Sequence, residues 1–358
     1  MKSIPLLLMG CGGVGRQLLA HIVACRSLHS KQGLALRVVG ICDSRSLFVV
    51  HDVLNLELKD DLLKEICRRK SSGSSLSSLL DLGEFQSFND SEARKKVLDI
   101  AGLLGRSAGV VLADCSASSE TTELLKQGID LGCCIVLANK KPLTSKIEDF
   151  EKLISDFRHI RFESTVGAGL PIIASVSRVL SSGDPIYRII GSLSGTLGYV
   201  MSELEDGKLF SFVVKEAKCL GYTEPDPRDD LGGMDVARKV DSLYPDDMGP
   251  KSMSIEDFIN HGLPLLDRDV AEKVEVATFR GNILRYVCKI EGSSCQVGLQ
   301  ELPKDSPLGR LRGSDNMVEI YSRCYKNSPL VIQGAGAGND TTAAGVLADI
   351  VDLQDLFK

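Results

Sequence analysis

The densest set of groups able to hold and protonate a small substrate lies in residues 221–240, GYTEPDPRDDLGGMDVARKV. Glu224, Asp226, Asp229, Asp230 and Asp235 stand there among Arg228, Arg238 and Lys239. Carboxylates hold an ammonium, and a lysine donates a proton to a developing alkoxide, so an acidic loop leading into an Asp/Lys pair suits a small zwitterion. Pro225 and Pro227 are expected to exclude a helix across the first half. Gly232-Gly233 then releases the chain into a predicted helix over 234–240, on which Asp235 and Lys239 share one face. A solvated charged loop before a surface helix has the same composition, and the other end of the chain decides between the two.

Residues 4–8 are an apolar run long enough for a buried strand. Gly10-Cys11-Gly12-Gly13-Val14-Gly15 follows at once, and a predicted helix runs on from Arg16. Strand, GxGxxG, helix is the dinucleotide fingerprint in the context it requires. The glycines allow a tight turn and close approach of backbone N–H groups to a pyrophosphate, and the helix N-terminus adds a favourable dipole. A second strand over 35–42 ends at Asp43-Ser44-Arg45. An acid at that point accepts from the ribose hydroxyls of NAD, whereas a nearby arginine pairs with the 2′-phosphate of NADP. Asp43 and Arg45 offer both, with NADP(H) favoured and NAD(H) open.

The elements that must position these groups alternate along the first half. A helix is predicted over 60–70, a serine-rich loop over 71–78, a strand over 109–114, a helix over 120–128 and a strand over 134–138. This is the doubly wound α/β pattern, in which ligands bind beyond the C-terminal ends of strands. Ser116 and Asn139-Lys140 fall there, with Lys140 placed to face cofactor and substrate. Residues 162–172 are glycine-rich and open a second region, where carbonyl oxygens free to converge would suit a cation. Strands over 186–193, 280–288 and 296–302, with helices over 199–205 and 210–220, read as an α+β domain with a mostly antiparallel sheet. A last strand over 329–333, a Gly-rich turn and a small-residue helix are expected to pack back on the first domain. The expected division is therefore 1–143 with 329–358, and 144–328.

The chain has 358 residues, enough for two domains with a large core. Its net charge of −6 leaves no electrostatic footprint for nucleic acid or an anionic membrane, and the absence of Trp disfavours a base-stacking platform. The 11 cysteines show no CxxC and no clustered histidine; apart from the adjacent Cys133-Cys134 they stand alone in sequence, so zinc is disfavoured and reduced thiols are expected. A signal peptide or membrane span is also disfavoured. The expected location is the cytoplasm, or a plastid if a transit peptide is missing from the sequence.

Taken together these residues resemble the homoserine dehydrogenase family, in its monofunctional plant and fungal form without an aspartokinase or ACT domain. The motifs that carry the resemblance are Gly-Tyr-Thr-Glu-Pro-Asp-Pro with the following Asp-Asp-Leu and Asp-Val-Ala-Arg-Lys, Asn139 to Leu143, Thr165 to Ile172, Ser194-Gly195-Thr196 and Gly334 to Gly338. The resemblance implies NAD(P)H-dependent interconversion of L-aspartate 4-semialdehyde and L-homoserine. It implies Lys239 as proton donor, Asp235 as the residue that orients it and holds the substrate, and Lys140 as a further catalytic residue. Glu224 would bind the substrate amine, with Tyr222, Asp230 and Thr196 nearby. Cys11, Gly13, Val14, Ser116 and Gly338 match cofactor-contact positions. Main-chain groups of Glu163, Val166, Ala168 and Leu170 match a monovalent cation site, sodium in the first instance. A homodimer pairing through the second domain is implied as well, supported by the expectation that the strand over 186–193 would otherwise expose an edge. Two departures stand out: Gly198, where many homologues carry Asn, and the polar Asn339-Asp340.

Two other functions share parts of this pattern. A non-catalytic nucleotide-binding sensor would keep the fold. An aspartate-semialdehyde dehydrogenase would use a cysteine nucleophile, for which Cys115 at a strand end is the candidate.

Overall fold

The apolar run at the start of the chain forms β1 (Lys2–Met9), and Ile4, Leu6, Leu7 and Leu8 are completely buried in it. So continuous an apolar run marks a strand covered on both faces. The structure is a computed structural model and describes residues 1–79, 85–223, 226–231 and 254–358. These form two compact units, Met1–Pro171 with Ala337–Lys358, and Ile172–Gly336. No helix among the described residues is long and apolar enough to cross a membrane.

In the first unit β1 leads through α1 (Gly13–Lys31) to β2 (Leu34–Cys42), which pairs with β1 in parallel. Next come β3 (Ser46–Val49), α2 (Asp60–Ser71), β4 (Gln86–Asn89) and α3 (Asp90–Gly105). Then follow β5 (Val111–Asp114), α4 (Thr121–Asp130), β6 (Cys134–Leu137), α5 (Lys141–Thr144), α6 (Ile147–Ile154) and β7 (Ile160–Arg161). The sheet order is β4-β3-β2-β1-β5-β6-β7. Strands β2, β1, β5, β6 and β7 run parallel, while β3 and β4 add antiparallel at one edge. The chain leaves β1 toward β2 on one side and returns to β5 on the other, so the switch point of this sheet lies at the C-terminal ends of β1 and β5.

The division falls later than the sequence placed it, at Pro171/Ile172 rather than 143/144. The reason is β7, which pairs with β6 and so belongs to the first sheet. At the other end the strand near 329–333 becomes β12 (Leu330–Ala335) and pairs with a strand of the second sheet. The chain returns to the first unit only at Ala337, in the helix Asn339–Asp352.

The second unit begins with α7 (Ile172–Ser181), followed by β8 (Ile186–Ser192), α8 (Gly195–Glu205), α9 (Phe210–Cys219) and α10 (Pro227–Leu231). After the helix Asp267–Phe279 come β9 (Asn282–Glu291), β10 (Ser294–Pro303) and β11 (Asp315–Ser322), ahead of β12. Five strands in the order β10-β9-β8-β11-β12 pair antiparallel throughout. Strand β8 is thus the centre of the sheet and has no free edge; β10 and β12 are the edge strands. The edge argument for dimerisation through residues 186–193 does not hold. Pro227 is also a correction: it opens a short helix and does not prevent one, because the first helical position needs no N–H donor.

The fingerprint glycines differ in how far they tolerate a side chain. A Cβ on Gly15 would lie 2.0 Å from the Gly10 carbonyl oxygen, whereas one on Gly12 would meet nothing within 4 Å. Gly15→Ala is expected to destabilise the protein by about 1–3 kcal/mol through overpacking. Gly12→Ala is expected to stay within about 0.5 kcal/mol of the parent. Denaturant unfolding without cofactor measures both, and equal stability of the two variants would reject the close approach.

Candidate active site

The C-terminal ends of β5 and β6 are tied by one buried polar junction. The Asp114 carboxylate is fully buried; its Oδ1 accepts from the Ser116 N–H at 2.9 Å. Its Oδ2 accepts from the Thr121 hydroxyl at 2.7 Å and from Asn139 Nδ2 at 3.0 Å. Asn139 Nδ2 also donates to the Ser118 carbonyl at 2.6 Å, and Asn139 Oδ1 accepts from the Lys141 N–H at 3.2 Å. Ser116 and Lys140, the two strand-end residues singled out from sequence, are therefore set by one hydrogen-bonded cluster. Neither Asp114 nor the part played by Asn139 was legible beforehand; their pairing is long-range.

The turn between β1 and α1 sits against this junction. Gly10 holds φ 91°, and a Cβ there would lie 2.6 Å from the Ser116 nitrogen. Gly12 precedes α1, which has no side-chain cap and no acid in its first turn. The first N–H groups of α1 thus keep their polarity for an anion. Cys11 is buried, and burial pushes its thiol up to about 12. Cys115 is buried too; desolvation, then Asp114 and Cys11, raise its thiol far above the ordinary range. Burial and the neighbouring Asp114 both oppose a thiolate at Cys115, which counts against the reading as a cysteine-dependent aldehyde dehydrogenase.

Beside the turn opens a cavity of about 300 Å³, whose lining includes Gly10, Asp43, Arg45, Arg94, Ser116 and Thr121. Arg45 is exposed at its rim. Asp43 accepts from the N–H groups of Arg45 (3.1 Å) and Ser46 (3.0 Å) on one oxygen. On the other it accepts from Lys70 Nζ and the Leu76 N–H, both at 3.1 Å. Burial opposes the charge of Asp43, but these backbone and lysine donors outweigh it and hold the carboxyl below its ordinary range. Four donors fill the acceptor capacity of a carboxylate, so a ribose hydroxyl would have to displace one. Arg94, on α3, is a second cation of this cavity that the sequence reading did not mark.

The C-terminal return covers the same turn. A Cβ on Gly13 would strike the Asn339 side chain at 2.5 Å, and His21 on α1 pairs with Asp340 at 2.7 Å. The unusual Asn339-Asp340 pair thus has a place: both residues fasten the return helix to α1. Gly338 precedes that helix at φ 122°, and its carbonyl accepts from Thr341 and Thr342 hydroxyls at 3.1 and 2.6 Å. The return helix also packs on the 163–170 segment. A Cβ on Gly169 would lie 2.5 Å from the Thr341 carbonyl oxygen, and one on Gly345 would lie 2.4 Å from Ser164 Oγ. Gly167 and Ala168 are both left-handed, at φ 72° and 57°. Glu163 is buried, and its N–H donates to Asp349 at 3.0 Å. Burial raises the Asp349 carboxyl to about 7, with Glu163 and Asp352 adding and the Glu163 N–H opposing. Among the described residues no cluster of three His, Cys, Asp or Glu side chains could hold a metal.

In the second unit Thr196 lies in the first turn of α8 and is nearly buried. Its hydroxyl lies 2.5 Å from the Tyr222 carbonyl and 3.0 Å from Asp230 Oδ1. The Tyr199 and Tyr222 rings pack 4.9 Å apart. Thr196, Tyr222 and Asp230, chosen from sequence as substrate-side residues, are therefore brought together. Gly198 faces a confined spot: its Cβ would lie 3.0 Å from the Gly313 carbonyl oxygen, which leaves little room for the Asn of many homologues. Glu224, Asp235 and Lys239 lie outside the described residues.

The family model described as homoserine dehydrogenase matches residues 171–351. A bifunctional aspartokinase/homoserine dehydrogenase 2 of Zea mays chloroplasts is 34% identical over 97% of the chain, which spans 38% of that protein. A homoserine dehydrogenase of Paracoccidioides brasiliensis is 37% identical over 72% of the chain and 77% of its own length. Among solved structures, a Candida auris protein of unknown function superposes with a TM-score of 0.81 at 28% identity, covering 100% of this chain and 99% of its own. A hyperthermophilic archaeal homoserine dehydrogenase in complex with NADPH superposes with a TM-score of 0.69 at 25% identity, covering 99% of both chains.

The Asp114 junction makes its own prediction. Asn139→Ala removes a donor from a buried carboxylate and is expected to cost about 1–3 kcal/mol of stability. Asn139→Asp is expected to cost more, since it sets two carboxylates side by side. Urea unfolding measures both, and a ranking in which Asp is the better tolerated would contradict the geometry.

Proposed function

This chain belongs to the homoserine dehydrogenase family, and from that premise we propose that it is an NAD(P)H-dependent oxidoreductase interconverting L-aspartate 4-semialdehyde and L-homoserine in threonine, methionine and isoleucine biosynthesis. The observation that carries the reading is the convergence of Thr196, Tyr222 and Asp230 at the start of α8, inside the matched region. A sensor that kept only the fold has no need of that second cluster.

The residues fit the cofactor. An uncapped α1 behind a glycine turn supplies N–H donors for a pyrophosphate, and the cavity beside Asp43 and Arg45 takes the adenosine end. NADP(H) is the favoured form: Arg45 and Arg94 line that cavity, and Asp43 already has its donors. NAD(H) is the lesser alternative. When bound, the nicotinamide supplies the hydride in reduction and takes it up in oxidation.

This chain's own residues supply the rest. Lys239 gives its proton to the aldehyde oxygen as that oxygen becomes an alkoxide, and takes it back in the oxidation. Asp235 orients Lys239 and holds the substrate. Glu224 holds the substrate ammonium, while Thr196, Tyr222 and Asp230 fix its approach. Lys140, set by the Asn139 junction, serves the reacting end. Main-chain oxygens of Glu163, Val166, Ala168 and Leu170 suit a monovalent cation, taken as sodium, and the left-handed Gly167-Ala168 pair turns the chain sharply between them. The same reading takes the protein as a cytoplasmic homodimer pairing through its second unit.

Steady-state reduction of aspartate semialdehyde with NADPH and with NADH tests the assignment, and no turnover with either would overturn it. Lys239→Ala is expected to lower kcat by about 10²–10⁴-fold with little change in cofactor affinity. Arg45→Ala is expected to raise KM for NADPH and leave that for NADH nearly unchanged. Equal effects on the two cofactors would remove Arg45 from the discrimination.

A further inference from the structure

Two cysteines that stand apart in sequence meet on the outer hairpin of the second sheet. Strands β9 and β10 are joined by the two-residue turn Gly292-Ser293, with Gly292 at φ 57°. A positive φ at the first central position is what a type II′ turn requires, and it fixes the register of the hairpin. In that register Cys288 lies opposite Val297, and Cys295 lies opposite Ile290. Side chains two residues apart on a strand share a face, so Cys288 and Cys295 are diagonal neighbours on one face. The Cys295 thiol lies near enough to add to the rise that burial imposes on the Cys288 thiol. Cys295 is exposed, Cys288 is half-buried, and the apolar neighbours on this face, Ile290 and Val297, are 42% and 61% exposed.

We propose that Cys288 and Cys295 form a redox-active dithiol that closes to an intrachain disulfide when a peroxide or a disulfide oxidant reaches the hairpin. With hydrogen peroxide, the Cys295 thiolate attacks one peroxide oxygen, the O–O bond breaks, and a sulfenic acid and water result. The Cys288 sulfur then attacks the Cys295 sulfur, the S–OH bond breaks, and a second water leaves. Two thiols are oxidised and one peroxide is reduced to two waters. The division of roles follows from exposure: burial, and then the neighbouring Cys295, raise the Cys288 thiol, so the open Cys295 reacts first and Cys288 resolves it. The other exposed cysteines, Cys219 and Cys324, lie on different elements of the chain. The proposal stands apart from the dehydrogenase assignment and needs no turnover to be tested.

The test is a peptide map of the full-length protein after one equivalent of hydrogen peroxide. Trypsin cuts after Arg285, Lys289 and Lys304, so Cys288 and Cys295 fall on separate peptides, 286–289 and 290–304. Expected is one linked species, two hydrogens lighter than the sum of these peptides and separated by reductant, at monomer mass on a non-reducing gel. In Cys288→Ser the Cys295 sulfenic acid should persist and accept a dione trap that the parent protein does not retain. Oxidation of Cys295 without the link in the parent protein would overturn the proposal, as would a link between two chains or preferential oxidation of Cys219 or Cys324. If the variant fails to fold, the map of the parent protein decides alone.

Discussion

A buried carboxylate held by three donors fixes the loop ends of the first sheet. Asp114 ends β5 out of contact with solvent, and an ion so placed is tolerated only when donors replace the lost water. Ser116, Thr121 and Asn139 are those donors; Ser116 and Asn139 come from the loops after β5 and β6, and Thr121 opens α4. Charge-assisted hydrogen bonds of this kind are worth about 1.5–3 kcal/mol each. The same bonds that stabilise Asp114 therefore hold the loops bearing Ser116 and Lys140 in one geometry. A pocket built on two independent loops would need that ordering to be supplied by the ligand, at a cost in affinity.

The second constraint is backbone against backbone. Gly10 lies on the Cys115–Ser116 backbone, Gly15 on the Gly10 carbonyl, Gly13 on Asn339, Gly169 on Thr341 and Gly345 on Ser164. Each is a place where two segments approach closer than a Cβ allows. Together they bring the fingerprint turn, the strand-end loop, the 163–170 segment and the return helix into one layer. The arrangement explains why glycines are concentrated in the turn, the 163–170 segment and the return helix. It also explains why Asn339 is tolerated: its side chain occupies the space that Gly13 leaves.

What the sequence disclosed was local, and what it concealed was pairing. β1, the turn, α1 and β2 were legible because an apolar run, a glycine pattern and a helix signal lie within 42 residues. The edge strands β3 and β4 were not, since Ser46–Val49 and Gln86–Asn89 are four residues each and gain their order only from each other and β2. Strand β11, eight residues long, was not marked either, and without it β8 read as an edge when it is the centre. Pro227 misled because proline forbids a helix interior and favours a helix start. Thr196, Tyr222 and Asp230 were picked out through family motifs and the fold brings them together, whereas Asp114 and Arg94 carry no motif and acquire meaning only from what the fold places beside them. Cys288 and Cys295 belong with these: seven residues apart they look unrelated, and a hairpin register makes them neighbours.

The cluster of Thr196, Tyr222 and Asp230 depends in turn on a helix held at both ends. At its start, Thr196 is bonded to the Tyr222 carbonyl and Asp230, and Ser194 caps the Leu197 N–H. At its end, Glu205 accepts from Arg285 at 3.0 Å, and Arg285 is only 1% exposed. The guanidinium also donates to the carbonyls of Leu284, Gly309 and Leu311, while Arg312 and Lys304 add to Glu205. Burial pulls the Arg285 pKa down, and Glu205 opposes that pull. Arginine remains charged under such pressure, so the pair behaves as a fixed fork and not as a titrating switch. Replacing Glu205 would leave Arg285 as an uncompensated buried charge, which is costlier than the pair is worth, whereas Glu205 without Arg285 would keep Arg312 and Lys304. The outcome is an α8 whose C-terminal end cannot drift, roughly 16 Å from the Thr196 end by helix geometry. A rigid helix therefore holds the Thr196 hydroxyl against the Tyr222 carbonyl and Asp230, and fixed side chains of this kind are what precise positioning of any ligand requires.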